Sequence, residues 1–169
     1  MNEKPVIVGV DGSSAARAAL EYALDEAVRR NAPLQVVAAV ALPDFWASYY
    51  GELVPPPPSD FVGEARKETQ RFVDEVVAGR GDVVQAVPIS VEARAGRPGD
   101  VLVDAAEGAA LLVVGHRGRG SVSSVLLGSV GLQCVLHATC PVTVVRPKPQ
   151  ALAADEPVRE VPAAAPAPA

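Results

Sequence analysis

The sequence GHRGRGSVSSVLLGS at residues 115–129 places Gly115, Gly118, Gly128 and Ser129 at the spacing Gly-x2-Gly-x9-Gly-Ser. It directly follows the apolar run LLVV at 111–114, which predicts a buried strand. A strand that leads into a glycine turn and then a helix is typical of phosphate binding in α/β proteins, because glycine lets backbone N–H groups approach the oxygens closely. We expect Ser129 to cap the helix that follows, whose N-terminus favours negative charge.

This loop also carries positive charge. His116, Arg117 and Arg119 lie inside it and could attract one small anion. The other interpretation is an ordinary surface turn, because glycine-rich loops are common and this spacing alone is weak support for a binding site. The segment by itself leaves both interpretations open.

Strands and helices alternate along the rest of the chain. Short runs of β-branched and other apolar residues predict strands at 6–10, 34–40, 89–95, 111–114 and 142–146. Helices are predicted from the capping pair Ser13-Ser14 to Asn31, over 61–77, over 98–107 and over 129–136. The alternation predicts an α/β fold, a five-stranded parallel sheet covered by helices on both faces.

Length and composition fit one domain. The chain has 169 residues, 49% hydrophobic content and a formal net charge of −5, which suits one buried core and argues against a nucleic-acid partner. We expect residues 1–147 to form the domain and the Ala/Pro-rich stretch 148–169 to be a disordered tail. The segment 41–60, with Trp46 and four consecutive prolines, is predicted to be a long connection: a lid, a dimer contact or a plain surface loop.

The cysteines and the apolar runs bear on redox chemistry and location. Cys134 and Cys140 are six positions apart, which fits no zinc spacing, so we expect buried or half-buried thiols. The chain reaches its first strand within five residues and has no run of 18 apolar residues. We therefore expect a cytoplasmic protein without a membrane segment.

Asp11 follows the first strand and is a candidate metal contact. Open parallel sheets bind ligands at the carboxyl ends of strands where the connection direction reverses, so Asp11 and Gly115 should be neighbours. A carboxylate beside bound phosphate would repel it unless a cation such as Mg²⁺ lay between them, held directly or through water. The alternative is that Asp11-Gly12 is turn chemistry only.

The glycine spacing, together with the ending HATCPVTVVRP and the beginning VIVGVDGSSAARAALEYALDEA, resembles the ATP-binding branch of the universal stress protein family. The resemblance covers residues 5–147 and implies the sheet order 3-2-1-4-5. It implies that Val10 and Asp11 lie on the adenosine and phosphate side, that Val40 flanks the adenine, and that Val114 and Gly115 line the ribose. Phosphates would contact Gly118, Gly128, Ser129 and Val130, beside the positively charged Arg119.

The resemblance also implies a homodimer, in which Val142, Val144 and Arg146 of the last strand pair across the dimer axis. One residue departs from the family pattern: members often have Ser or Thr after the first loop glycine, where this chain has His116. The ligand is therefore expected to be ATP or AMP with Mg²⁺, and the preference for a triphosphate is left open.

The resemblance implies a stress-response regulator with slow or no hydrolysis. The loop lacks the Gly-Lys-Ser/Thr ending of efficient ATPases, and the two histidines suggest no catalytic arrangement. Two other classes stay open. One is an enzyme, either a slow ATPase or a flavin-binding electron-transfer protein. The other is an interaction protein that binds no nucleotide and contacts its partners through residues 45–50 and the tail. The sequence does not identify such a partner.

Overall fold

A computed structural model of the chain describes residues 4–41, 58–118 and 127–147. In this part of the chain the strands are β1 (Val6–Gly9), β2 (Leu34–Val40), β3 (Ile89–Ala95), β4 (Leu111–Gly115) and β5 (Val142–Val145). The helices are α1 (Ser14–Arg30), α2 (Pro58–Ala78), α3 (Asp82–Gln85), α4 (Pro98–Ala105) and α5 (Ser129–His137). The strands form one parallel sheet in the order β3-β2-β1-β4-β5, which confirms the predicted fold and strand order.

The centre of the sheet is buried on both faces. Val6, Ile7 and Val8 of β1 have no solvent-exposed surface, as expected for a parallel sheet between two helical layers. Alternate residues point to opposite faces, so Val6 and Val8 pack in one core cluster and Ile7 packs in the other. The first cluster includes side chains of α1 and α2, and the second includes side chains of α4 and α5. Helices therefore cover both faces, as predicted.

Helix α1 packs on the sheet through small side chains. Its buried residues are mostly alanines, with Leu20 and Leu24 between them. At its beginning the Ser13 side chain accepts a hydrogen bond of 3.1 Å from the Ala16 N–H. At its end Asn31 adopts the left-handed conformation, φ 49° and ψ 47°, which asparagine tolerates better than most residues. The sequence signals that predicted this helix therefore act at both of its ends.

Several boundaries differ from the predicted ones by a residue or two. Strand β1 ends at Gly9, although the Val10 N–H still donates to the Val37 carbonyl at 3.0 Å. Helix α4 ends at Ala105, before Gly108 at φ +71°, and β5 ends at Val145. The single turn α3 was not predicted. Such differences are normal, because strand and helix ends depend on pairing partners as much as on local sequence.

The predicted cap of α5 is wrong. Gly128 is the capping residue, with φ −69° and ψ 158°, and Ser129 is the first helical residue. The Gly128 N–H donates to the His116 carbonyl at 2.8 Å, and this bond holds Gly128 in the extended conformation that a cap needs. Among the described residues, no side chain caps α5.

The two cysteines are free thiols within the second core cluster, Cys134 buried and Cys140 half-buried, as expected. Burial raises the pKa of Cys134 to about 11 and also raises the pKa of Cys140.

The predicted tail, most of the segment 41–60 and Arg119 lie outside the described residues.

Candidate functional site

The sheet splits at the carboxyl ends of its two central strands. Pairing between β1 and β4 stops at Val8 and Val113. Pairing of β1 with β2 continues to Gly9 and Val37, and pairing of β4 with β5 continues to Gly115 and Val145. The chain connections run in opposite directions from this point, which is where open α/β sheets bind ligands.

A cavity of about 560 Å³ opens at this split. Its size lies within the range of roughly 300–1,000 Å³ that is typical of small-molecule and cofactor sites. Eight of the residues predicted from the sequence line it: Val10, Asp11, Val114, Gly115, Gly118, Gly128, Ser129 and Val130. Asp11 and Gly115 are thus brought to one place, as the strand order required.

One end of the cavity is apolar. Val37 and Ala39 of β2, Leu102 of α4 and Val114 of β4 contribute side chains without polar groups. Gly9 forms part of this wall, and a Cβ atom there would lie 2.6 Å from a methyl carbon of Leu102. The absence of a side chain on Gly9 therefore lets the Leu102 side chain lie directly against β1.

Two glycines of the loop make close contacts. A Cβ atom on Gly115 would lie 2.9 Å from the carbonyl carbon of Ala15, at the beginning of α1. A Cβ atom on Gly118 would lie 2.6 Å from Oδ2 of Asp11. A side chain at position 115 would therefore meet the fixed backbone of α1, whereas one at position 118 would require the Asp11 carboxylate to move.

Gly128 differs from these two. A Cβ atom there would make only ordinary contacts of 3.5 Å, with the Arg117 Cα and the His116 carbonyl oxygen. The protein itself could accommodate alanine at this position. Glycine instead leaves space inside the cavity, which Gly128 lines.

The N-terminus of α5 points its donors toward this space. The first intrahelical bond runs from the Leu132 N–H to the Gly128 carbonyl at 3.0 Å. The N–H groups of Ser129, Val130 and Gly131 therefore have no acceptor within the helix, and these three residues line the cavity. Uncapped donors at a helix N-terminus favour an anion.

Asp11 serves the turn between β1 and α1. Its Oδ1 accepts a hydrogen bond of 3.0 Å from the Ser13 N–H, and Gly12 between them has φ +78°. Asp11 therefore stabilises the turn, which is the structural role that its position before Gly12 predicted as an alternative to metal binding. The same carboxylate lines the cavity beside Gly118, which is also the position that a cation between protein and phosphate would need.

The universal stress protein family model matches residues 3–146 of the chain. The chain belongs to the universal stress protein family. A universal stress protein of Mycolicibacterium smegmatis is 37% identical over 145 residues, which are 85% of this chain and 46% of that protein. One from Mycobacterium tuberculosis is 38% identical over 143 residues, which are 84% of this chain and 45% of that protein. The chain spans about half the length of these relatives.

Solved structures of universal stress proteins share the fold. The protein from Archaeoglobus fulgidus in complex with dAMP is 25% identical, with a TM-score of 0.58 over 85% of this chain and 98% of that chain. A universal stress protein in complex with cAMP aligns at a TM-score of 0.65 and covers 88% of this chain and 100% of that chain. At 23% identity the second likeness concerns the fold alone.

Val40 is not among the residues that line the cavity of this universal stress protein. Along β2 the side chains alternate, so Val40 shares the direction of Val36 and Ala38, which pack in the cluster with α1 and α2. Val37 and Ala39 point the other way and line the cavity. Both faces of β2 are apolar over residues 36–40, so the sequence did not mark Ala39 as the residue that faces the cavity. Pro98 and Leu102 were also missed, and no local signal marks them.

His116 lies at the junction of the cavity and β5. It is half-buried, and its Nδ1 is shielded from solvent without a hydrogen-bond partner in the part of the chain that the structure describes. Burial, together with the positive charges of Arg117 and Arg146, lowers the pKa of His116 below its ordinary value. The imidazole is therefore neutral at neutral pH.

None of the helices in the described ranges is long and apolar enough to cross a membrane.

Proposed function

We propose that this universal stress protein binds an adenine nucleotide, ATP or AMP, with Mg²⁺ and acts as a stress-response regulator with slow or no hydrolysis. The observation that carries the proposal is the combination, in one cavity, of apolar side chains and a helix N-terminus whose donors no side chain in the described ranges caps. A nucleotide has the same division, with a base at one end and phosphates at the other. The complex of the related Archaeoglobus fulgidus protein with dAMP agrees with this ligand class.

The base would occupy the apolar end. Ala39 of β2, Leu102 of α4 and Val114 of β4 line this part of the cavity. None of these three side chains carries a charge or a hydrogen-bonding group. Recognition of the base edge would therefore depend on backbone groups and on shape.

The phosphates would lie at the N-terminus of α5. The N–H groups of Ser129 and Val130 and the backbone of Gly118 would donate to their oxygens, and Arg117 would add positive charge. Arg119 would act in the same region, although it lies outside the described residues. Backbone donors of this kind bind an anion without catalysing its hydrolysis.

Mg²⁺ would be held by Asp11. In the described ranges no three His, Cys, Asp or Glu side chains cluster as a metal site. The cation would then take its other ligands from phosphate oxygens and water, which is how Mg²⁺ commonly binds with nucleotides. Its role would be to neutralise charge between the Asp11 carboxylate and the phosphates.

The regulator would act as a homodimer through β5. The two edges of the described sheet differ: β3 carries Glu92 and Arg94, paired at 2.8 Å, whereas Val142–Val145 has no charged side chain before Arg146. Charged residues discourage pairing between sheet edges, so β5 is the edge suited to a second copy. Exposed apolar side chains on the adjacent α5, Leu132, Val135 and Leu136, would extend the contact.

The test is thermal unfolding of purified protein, freed of bound ligand, with and without ATP and Mg²⁺. Ligand at ~100 times its dissociation constant stabilises a protein by roughly 2.7 kcal/mol, which raises the Tm of a domain this size by about 5 to 10 °C. We expect this shift with ATP, and a smaller one with GTP at the same concentration. No shift with saturating ATP would overturn the proposal and favour the nucleotide-free interaction protein.

Turnover distinguishes the regulator from an enzyme. A steady-state rate above about 0.1 s⁻¹, still slow beside ordinary enzymes, would favour a true ATPase. A yellow colour of the purified protein would favour a flavin-binding protein. The cytoplasmic location stays a prediction.

A further inference from the structure

The backbone of His116 joins the cavity to the sheet edge. Its N–H donates to the Val145 carbonyl of β5 at 2.8 Å, and its carbonyl accepts from the Gly128 N–H, also at 2.8 Å. Its neighbours Gly115 and Arg117 both line the cavity, as does Gly128. His116 is therefore fixed between the proposed phosphate site and the end of β5, and its backbone is not free to swing away when a ligand binds.

The imidazole is in an environment that disfavours positive charge. Its Nδ1 is shielded from solvent and, within the described residues, has no hydrogen-bond partner. Among the described residues, the charged groups that act on it are both cations, Arg117 in the loop and Arg146 directly after β5. These two arginines and the burial of the ring lower the pKa of His116, so the ring is neutral in the empty protein.

An anion in the cavity would reverse this situation. Phosphate oxygens at the N-terminus of α5 would add negative charge beside Arg117, a cavity residue and the nearest cation in sequence to His116. Opposite charge nearby favours the protonated form of a histidine, and the effect is stronger where water is partly excluded. With the backbone held by two hydrogen bonds, the available response is a change in protonation.

We propose that His116 is proton-linked to the phosphate site: its imidazole, next in sequence to the cavity residues Gly115 and Arg117, binds protons more tightly when an anionic nucleotide occupies the cavity. The inference rests on the proposed nucleotide binding. It gives this protein a pH dependence of ligand affinity, because any state that binds an extra proton is favoured as the pH falls. It also explains what a histidine can do at the position after Gly115, where a Ser or Thr hydroxyl would be insensitive to pH.

The direct test is NMR titration of the histidine rings. The chain has only two histidines, His116 and His137, so two ring resonances are expected. His137 is exposed at the end of α5 and serves as the internal control, and the variant His137→Gln assigns the two resonances without touching the loop. With saturating ATP, we expect the pKa of His116 to rise by about one unit, a tenfold change in proton affinity, and that of His137 to stay constant. Adenosine, which has no charge, should leave both rings unchanged.

The second test compares ATP affinity between wild type and His116→Gln from pH 8 to pH 6. Glutamine keeps a polar side chain but cannot take up the proton. Because titration of ATP itself is common to both proteins, the ratio of their dissociation constants isolates His116. We expect wild type to gain up to about tenfold in relative affinity as the pH falls. A merely structural role would change affinity equally at every pH.

The outcomes separate the two proposals. If ATP raises the Tm but the His116 resonance titrates as in the empty protein, nucleotide binding stands and the proton linkage is wrong. If ATP neither raises the Tm nor moves the resonance, both are wrong. If His116→Gln does not fold, the NMR titration of wild type alone decides.

Discussion

Helices α1 and α5 both begin beside the cavity, yet their N-termini are completed in different ways. At α1 the Ser13 hydroxyl accepts from the Ala16 N–H at 3.1 Å, and the Asp11 carboxylate accepts from the Ser13 N–H. At α5 the capping residue is Gly128, which has no side chain to offer. At the beginning of α1 a neighbouring side chain accepts a hydrogen bond from the backbone, whereas at the beginning of α5 the backbone N–H donors face the cavity.

The difference separates stability from binding. A side-chain cap stabilises a helix because it satisfies donors that would otherwise need water. An uncapped N-terminus at the wall of a cavity gives up that stabilisation and keeps its donors available to an anion. On this view the N-terminus of α1 contributes to the stability of the domain, and the N-terminus of α5 contributes to anion binding. The substitutions below test this difference between the two helices.

The largest expected effect is that of Gly128→Asp, which gives α5 the kind of cap that α1 has. The new carboxylate would accept from the helix N–H groups and would repel phosphate. We expect ATP affinity to fall by about 100-fold or more, while the free energy of unfolding of the empty protein stays equal or rises by a few tenths of a kcal/mol. Calorimetric titration with ATP and urea unfolding measure the two quantities. Gly63→Asp adds the same charge on exposed α2, where a Cβ atom meets nothing within 4 Å, and should bind ATP like wild type. Unchanged affinity in Gly128→Asp would remove the α5 N-terminus as the phosphate site.

A second substitution separates the two kinds of glycine in the loop. Gly115→Ala places a methyl group 2.9 Å from the backbone of α1, so we expect a loss of about 2 kcal/mol in the free energy of unfolding. Gly128→Ala makes only contacts of 3.5 Å and should unfold within about 0.5 kcal/mol of wild type. Urea unfolding of both variants checks this. Equal stabilities would mean that the contact between the loop and α1 is not as tight as the structure indicates.

The smallest expected effect is that of Ser13→Ala. Loss of the cap should lower the free energy of unfolding by about 1 kcal/mol and leave ATP affinity within about twofold, because the Ser13 hydroxyl faces the α1 backbone. Ser14→Ala is the matched control, since Ser14 is exposed at the first helical position and its loss should be nearly neutral. A large loss of ATP affinity in Ser13→Ala would show that α1 also takes part in binding.

Strands β2 and β3 match their predicted bounds, 34–40 and 89–95, because β-branched runs between turn residues determine them locally. Half of the residues that line the cavity were predicted as well, because a strand that ends in glycine at a reversal of chain direction can lie only at the carboxyl edge of the sheet. Whether those residues bind a nucleotide stays a prediction.

The rest depended on tertiary contacts. Ser129 is a good capping residue by type, but the hydrogen bond between the Gly128 N–H and the His116 carbonyl shifts the cap by one position. The Leu102 side chain lies against Gly9 of β1, where a Cβ atom would take its space. Neither contact has a signature in the local sequence, since each joins residues from distant parts of the chain.

The split between β1 and β4 has a consequence for how the domain moves. Beyond Val8 and Val113 no backbone bond of the ladder connects the group β3-β2-β1 to the pair β4-β5, although each group remains hydrogen-bonded within itself. The carboxyl edge is therefore where β1 and β4 can separate with the least resistance, and amide hydrogens of these two strands should exchange faster at their carboxyl ends than at their amino ends. A ligand bound across that gap would contact both groups and connect them. Ligand binding would therefore stiffen the whole sheet, out to the edge strand β5.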